Sequence, residues 1–329
     1  MERYGEAKRK LFTQLTDCGG TAVINIDDAF GRALIKEFKD KIPIITYSIE
    51  NPSADIRAED IQLSVMGTQF TLSVNELGIG VGRRRPRRTE SEKSNDVAEV
   101  EKLKTKNYQL KTNVETPMLG KHNISNLLCA AGMAMAAGVS LDVIAKALAT
   151  IPPVRGRLER IVNPKYPNLT AFVDYAHTPD ALERVIKTLR ECRICRGDPL
   201  RSPGWTHGAA PTRLIVVFGC GGNRDRGKRP KMGKVVAELA DIAVVTSDNP
   251  RKEAPVVIIH EILAGMKDLD KTSKVKIVVE EDRATAIAKA LTLATKEGDI
   301  LLIAGKGHET TQVFADTTIH FDDREELLK

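Results

Sequence analysis

No stretch of the 329-residue sequence approaches the roughly 20 consecutive apolar residues that a membrane-spanning helix needs, and Met1-Glu2-Arg3 opens no signal peptide. A soluble, untargeted, cytoplasmic protein is therefore expected. Cysteine is scarce and odd in number. The five, at 18, 129, 192, 195 and 220, lie mostly in apolar or helical contexts, which suits a reducing compartment. Cys192 and Cys195 have zinc-like or redox-like spacing, but no second pair completes a four-ligand site. No G-x-G-x-x-G follows a strand-like run, which sets aside nicotinamide chemistry.

What is present describes an ordinary globular protein. Its hydrophobic content of 42% and charged content of 29% are both normal, and the length is enough for two cores. The formal charge of +6 permits an acidic ligand, although much of the excess sits in one run, Arg83 to Arg88. Such a run can contact nucleic acid, but it reads more simply as a solvated loop.

Periodicity points to an α/β chain. Glu2 to Leu15 has helical spacing, Thr21–Ile26 and Ile42–Tyr47 read as strands, and Phe30–Phe38 reads as the helix between them. The alternating runs DIQLSV and FTLSV suggest a hairpin on the flank of the sheet. Residues 76–112 lose all periodicity and are expected to be a disordered insertion. Two helices follow, and Pro152-Pro153 closes a first domain, 1–152. In the second, 153–329, five strands alternate with helices as a doubly wound sheet, interrupted by an irregular insertion at 193–212.

The organising stretch is Leu214 to Lys234, where five apolar residues lead into a glycine-rich loop and a helix. Gly222-x-x-x-x-Gly227-Lys228 has the spacing of a phosphate-cradling loop, but Arg229 stands where a Ser or Thr hydroxyl would ligate Mg²⁺. With Arg224, Arg226, Lys228 and Arg229 facing only Asp225, the loop reads as an anion site of another kind. Three more polar clusters follow strands of the same sheet: Asp174-Tyr175-Ala176-His177, Ser247-Asp248-Asn249-Pro250-Arg251 and Gly305-Lys306-Gly307-His308-Glu309. Ligands of such sheets bind beyond the strand C-termini, so the four clusters imply one shared site. Its arginines can grip carboxylates or phosphates, while Asp248, Asn249 and Glu309 can receive ammonium or hydroxyl groups, a mixture that suits an amino acid.

The segments GKHNISNLLCAAG, PVRGRLE, VDYAHTPDALE, FGCGGNRDRGKRP, TSDNPRKEAP and AGKGHE resemble the UDP-N-acetylmuramoyl-tripeptide synthetases (MurE) of the Mur ligase family. The resemblance covers residues 1–80 and 114–329. It implies a truncated Mur ligase central domain followed by a Rossmann-like C-terminal domain. It also implies ATP- and Mg²⁺-dependent amide formation in peptidoglycan precursor synthesis: the carboxylate of UDP-MurNAc-dipeptide becomes an acyl phosphate, which the amine of meso-diaminopimelate attacks.

The resemblance assigns Arg224, Asp248, Asn249, Arg251, Gly305 and Glu309 to the incoming amino acid. The form DNPR goes with diaminopimelate over lysine, and Arg251 can bind the second carboxylate that lysine lacks. His122, Asn123, Asn126, Arg157, Asp174 and Tyr175 are implied to line the ATP site, with His177 and Lys8 in catalytic roles. Lys8 falls where the family carries a carbamylated, Mg²⁺-holding lysine. The family's amino-terminal domain and true phosphate loop have no counterpart in these residues, so this chain alone is expected to be inactive or nearly so. The alternative expectation is a non-catalytic relative in a plastid nucleic-acid assembly, contacting phosphates through Arg83 to Arg88.

Overall fold

The computed structural model describes residues 2–75, 109–194, 213–267, 275–296 and 298–329, with the side chains of 2–4, 109, 193 and 194 excepted. The chain divides into two compact units, Met1–Ile151 and Pro152–Lys329. Arg83 to Arg88, Cys195 and nearly all of both expected insertions lie outside the described residues.

In the first unit, α1 (Glu2–Cys18) precedes β1 (Ala22–Asn25), α2 (Ala29–Phe38) and β2 (Ile44–Ser48). The Asp28 carboxylate caps α2 by accepting from the Phe30 amide, and Leu34 and Phe38 face a core with Ala22, Ile24 and Ile42. Strands β3 (Ile56–Ser64), β4 (Gly67–Asn75) and β5 (Gln109–Thr116) complete a five-stranded sheet in chain order. β1, β2 and β3 run parallel, then β3–β4 and β4–β5 pair antiparallel. The expected hairpin is therefore an integral part of the sheet. It carries an irregularity between Glu59 and Gln62, where Asp60 takes φ +53°.

β5 corrects the sequence reading, which left residues up to 112 unstructured. Gln109 to Thr112 pair with Asn75 to Leu72. Three of the four are polar and Leu110 is exposed, so they gave no periodic signal; β5 is an edge strand that buries little beyond Val114 and Thr116. Helices α3 (Lys121–Ala136) and α4 (Leu141–Thr150) end the unit.

The second unit is built on a six-stranded sheet. Its elements are β6 (Glu159–Ile161), β7 (Thr170–Asp174), α5 (Pro179–Ile194), β8 (Leu214–Phe218), α6 (Lys228–Leu239), β9 (Ile242–Val245), α7 (Pro255–Lys267), β10 (Lys276–Val279), α8 (Arg283–Leu293) and β11 (Ile300–Ala304). A hairpin, β12 (Thr311–Val313) and β13 (Thr318–His320), and a short α9 (Asp323–Leu328) follow. The sheet order is β10-β9-β8-β11-β7-β6, parallel except for β6. Every residue of β8, β9 and β11 is buried, which is why these strands read as unbroken apolar runs. Two elements escaped the sequence reading. β6 is a three-residue edge strand, and α9 is six residues of mostly charged sequence.

α9 is held by a buried ion pair. The Arg283 guanidinium at the start of α8 is fully buried and donates to Asp323 from Nε at 2.7 Å and Nη2 at 2.8 Å. It also donates to the carbonyls of Ser247 and Ala304 at the ends of β9 and β11. Removing one partner of such a pair leaves a buried charge uncompensated, so Arg283→Met is expected to cost about 3–5 kcal/mol. Chemical denaturation of the variant measures it, and a loss below about 1 kcal/mol would contradict the assignment.

Candidate active site

Strand order decides what meets what. β11 returns between β8 and β7, so the four strands that end in polar clusters, β9, β8, β11 and β7, are consecutive neighbours in the sheet. Their loops emerge side by side, as the sequence reading required of a shared site.

The loops after β8 and β9 approach closely. The Gly222 amide donates to the Asn249 carbonyl at 2.8 Å, and a Cβ on Gly222 would lie 1.8 Å from the Pro250 oxygen. A Cβ on Gly219 would lie 2.3 Å from the Thr246 oxygen. Asn223 and Arg251 both take φ +53°, a left-handed conformation that costs a non-glycine residue energy and needs support from its surroundings. For Arg251 the support comes from the hairpin, because its amide donates to the Val313 carbonyl at 2.9 Å.

Two of the four cations of the glycine loop are neutralised, contrary to the sequence reading. Arg229 is fully buried and donates to both oxygens of Glu253 at 2.9 Å and to Glu261 at 2.7 Å. Arg226 also pairs with Glu261, and Lys228 donates to the His177 carbonyl at 2.7 Å. Only Arg224 is exposed and without a hydrogen bond or ion pair among the described residues. The neutralising carboxylates lie 24 or more residues downstream, beyond the reach of a local charge count.

Behind the loops lies a charge cluster. Asp248 is buried, and burial pushes its carboxyl above the usual range, opposed by Arg283 and Lys306. Its Oδ1 has no hydrogen-bond partner and stands 3.9 Å from Lys306 Nζ. The Asn249 side chain donates from Nδ2 to Glu309 at 2.8 Å, while its Oδ1 accepts from the Val313 amide at 3.0 Å and from Lys306 at 3.2 Å. This corrects the expected role of Asn249. Its oxygen is already saturated, so the side chain can offer an incoming ligand only an N–H, which suits a carboxylate and not an ammonium group. Arg251 spends Nη1 on the Gly222 carbonyl at 2.9 Å and keeps Nε and Nη2 for another acceptor. Gly305 takes φ +119°, and a Cβ there would stand 3.3 Å from Asp248 Oδ2.

At the end of β7, Asp174 is buried and accepts from the backbone amides of Leu158 and Ala176, both at 2.7 Å. Burial raises its pKa and these two donors lower it. The carboxylate thus braces the 156–158 turn. The Tyr175 ring sits 4.5 Å from that of His177 and 5.2 Å from that of His308, with the exposed Arg157 guanidinium 5.4 Å from its centroid. His177 Nδ1 lies 2.8 Å from the Tyr175 carbonyl, which can only accept, so Nδ1 carries the proton and Nε2 is left as an acceptor. His308 was not singled out by the sequence reading; its proximity to Tyr175 depends on β11 lying beside β7.

In the first unit, His122, Asn123 and Asn126 share the opening turns of α3. His122 and Asn126 are exposed, whereas Asn123 is buried and donates to the Leu119 carbonyl at 2.8 Å. The neighbouring Ser125 lies 3.4 Å from the Asn25 side chain, and Tyr47 is pushed up to about 12 by burial beside Cys129 and Asp27. These β1 and β2 strand-end residues were also missed. Lys8 is exposed on α1. No group of three or more His, Cys, Asp or Glu side chains among the described residues is placed to hold a metal, and no described helix is long and apolar enough to cross a membrane.

Sheet, strand-end loops and sequence together define the class. Residues 1–134 match the Mur ligase middle domain and residues 204–307 match the Mur ligase glutamate ligase domain, and the chain belongs to the Mur ligase family. Among its relatives is the UDP-N-acetylmuramoyl-L-alanyl-D-glutamate--2,6-diaminopimelate ligase of Nostoc sp., 39% identical over 99% of this chain and 54% of that protein. The Clostridium botulinum protein of the same name is 36% identical over 100% of this chain and 55% of its own length. A solved structure of a ligase with this name is 33% identical, with a TM-score of 0.58 over 99% of this chain and 55% of that one. Mycobacterium tuberculosis folylpolyglutamate synthase, at 17% identity and TM-score 0.53, shares the fold. The chain spans about half the length of the curated relatives it matches.

The Arg229 cluster makes a pH prediction. Hydrogen bonds from Arg229 and from the Asn223 amide lower Glu253 from 4.5 to about 2. A depressed carboxylate contributes stability above its unfolded pKa, and that contribution disappears as pH falls from about 4.5 toward 2. Thermal unfolding of wild type and Glu253→Gln is expected to differ at pH 7 and to converge at pH 2–3; parallel curves across that range would refute the assignment.

Proposed function

We propose that this chain forms part of an ATP-dependent ligase that joins meso-diaminopimelate to the D-glutamyl carboxylate of UDP-N-acetylmuramoyl-L-alanyl-D-glutamate. The observation that carries the reading is the Asp248-Asn249-Pro250-Arg251 loop. It presents one amide N–H and an Arg251 guanidinium with two free donors, next to the unpaired Arg224 and the carboxylates of Asp248 and Glu309. A diaminopimelate end, one carboxylate beside one ammonium, matches that mixture. The relatives' names, at 36–39% identity, support the same substrates.

In this reading Arg224, Arg251 and Asn249 hold carboxylate, and Asp248 and Glu309 receive ammonium. Gly305 keeps the space beside Asp248 clear. ATP, when bound, would supply the phosphoryl group that activates the acceptor carboxylate. The residues fit a nucleotide on one observation: Tyr175 offers a half-buried ring flanked by the Arg157 cation, and His177 Nε2 is available as an acceptor. Asp174 acts beneath them as a brace. The described residues group no three His, Cys, Asp or Glu side chains that would hold Mg²⁺, and Lys8 would ligate it only if carbamylated, so no step is assigned to the ion.

The specificity test is direct. Calorimetric titration of the chain is expected to show meso-diaminopimelate binding at least about tenfold more tightly than L-lysine, the worth of a charge-assisted contact. Arg251→Ala should erase that preference. Equal affinity for the two amino acids in the wild type would sink the reading.

A further inference from the structure

One buried cation remains outside this scheme. Lys306 is fully buried on the loop after β11, and its ammonium has four acceptors around it. Nζ donates to the Thr311 carbonyl at 2.5 Å, to Asn249 Oδ1 at 3.2 Å and to Glu309 Oε2 at 3.4 Å, and stands 3.9 Å from Asp248 Oδ1. An ammonium group has three hydrogens. The three closer contacts use all of them, so Lys306 has neither the exposure nor a free donor with which to touch a ligand.

Three of those four partners are the residues assigned above to the amino acid. We propose that Lys306 is a positioning residue that sets the polarity of the amino-acid pocket, an inference that rests on the pocket assignment of the preceding section. Two physical effects follow from its place. The first is orientation. An amide side chain can sit either way round, and here two donors, Lys306 Nζ and the Val313 amide, converge on one atom of Asn249. That atom must be the oxygen, which turns Nδ2 toward Glu309 and leaves its second hydrogen for a ligand carboxylate. Without Lys306 one of the two restraints is lost.

The second effect is charge. Asp248 is buried, and the partly exposed Glu309 lies in the same cluster. Burial, Glu309 and Asp323 all push the Asp248 carboxyl toward its protonated form, which cannot receive an ammonium group. Two cations oppose that shift, Arg283 and Lys306, and Arg283 is already committed to Asp323 as a bidentate pair. Arg251, on the neighbouring loop, directs Nη1 to a backbone carbonyl. Lys306 is the cation in contact with both Asp248 and Glu309. With Arg283 it favours the ionised form of Asp248, the form that can receive an ammonium group.

The test is calorimetric titration of the whole 329-residue chain with meso-diaminopimelate between pH 5.5 and 9, for wild type, Arg251→Ala, Lys306→Met and Asn249→Asp. Lys306→Met is expected to bind about tenfold more weakly at pH 7. Its affinity should recover part of the loss as pH rises, because Asp248, which burial already pushes above its ordinary range, has then lost one of the two cations that oppose that push. A lysine with a merely structural role would not move that pH profile. Asn249→Asp keeps the volume but replaces the N–H with a carboxylate oxygen facing Glu309, so it should lose binding. It carries the test if Lys306→Met fails to fold.

The outcomes separate. No binding by wild type, or undiminished binding by Arg251→Ala, overturns the pocket assignment and this inference with it. A binding wild type, together with a folded Lys306→Met that keeps its affinity and pH profile, overturns the inference alone. So does Asn249→Asp binding like wild type.

Discussion

The second unit depends on the close passage of two backbones, the loop after β8 against the loop after β9. With the Gly222 amide on the Asn249 carbonyl and no room for a Cβ at Gly219 or Gly222, the two segments share atoms' worth of space that only glycine leaves open. That approach brings Arg224 and Arg251 to one place and lets Arg229 reach back beneath the loop to Glu253. A residue with φ +53° on each side, Asn223 and Arg251, shows that the backbone is held in a conformation local preference disfavours.

Three fully buried cations, Arg229, Arg283 and Lys306, lie around this junction; carboxylates from other parts of the chain match the two arginines, and Lys306 has Glu309 three residues on and Asp248 from the loop after β9. Buried pairs of this kind seldom add net stability, since desolvation offsets most of the attraction. Their effect is geometric. Arg229 joins the glycine loop to α7, Arg283 joins the ends of β9 and β11 to α9, and Lys306 joins the last loop to the Asn249 side chain. The groups proposed to meet a ligand, Arg224, Arg251 and Glu309, are less buried than this framework. A rigid charged layer behind a partly solvated one is how a site holds donors and acceptors ready for a zwitterion.

Much of the fold was legible. The strands β8, β9 and β11 are buried on both faces and announce themselves as apolar runs, and the helices between them show a 3.6-residue period. The elements that escaped, β5, β6 and α9, are edge or terminal pieces, polar because water covers one side of them. Their existence is decided by what they pair with: β5 by β4, β6 by β7, and α9 by Arg283. Local sequence has no access to such partners.

The site divides the same way. From composition and order alone came the four polar clusters at strand ends, the wrong residue at Arg229 for a phosphate loop, and the resemblance to Mur ligases. Each is carried by residue type at short spacing. Only the tertiary structure showed that Arg226 and Arg229 are spoken for, that the Asn249 oxygen is saturated, and that Lys306 has no hydrogen left for a ligand. For Arg226, Arg229 and Asn249 the deciding neighbours lie 24 to 64 residues away, and for Lys306 one of the three partners is 57 residues away. Sequence therefore determined which chemistry the strand ends could offer. The fold decided which of those groups remain available, because a donor or acceptor already paired within the protein has nothing left for a substrate.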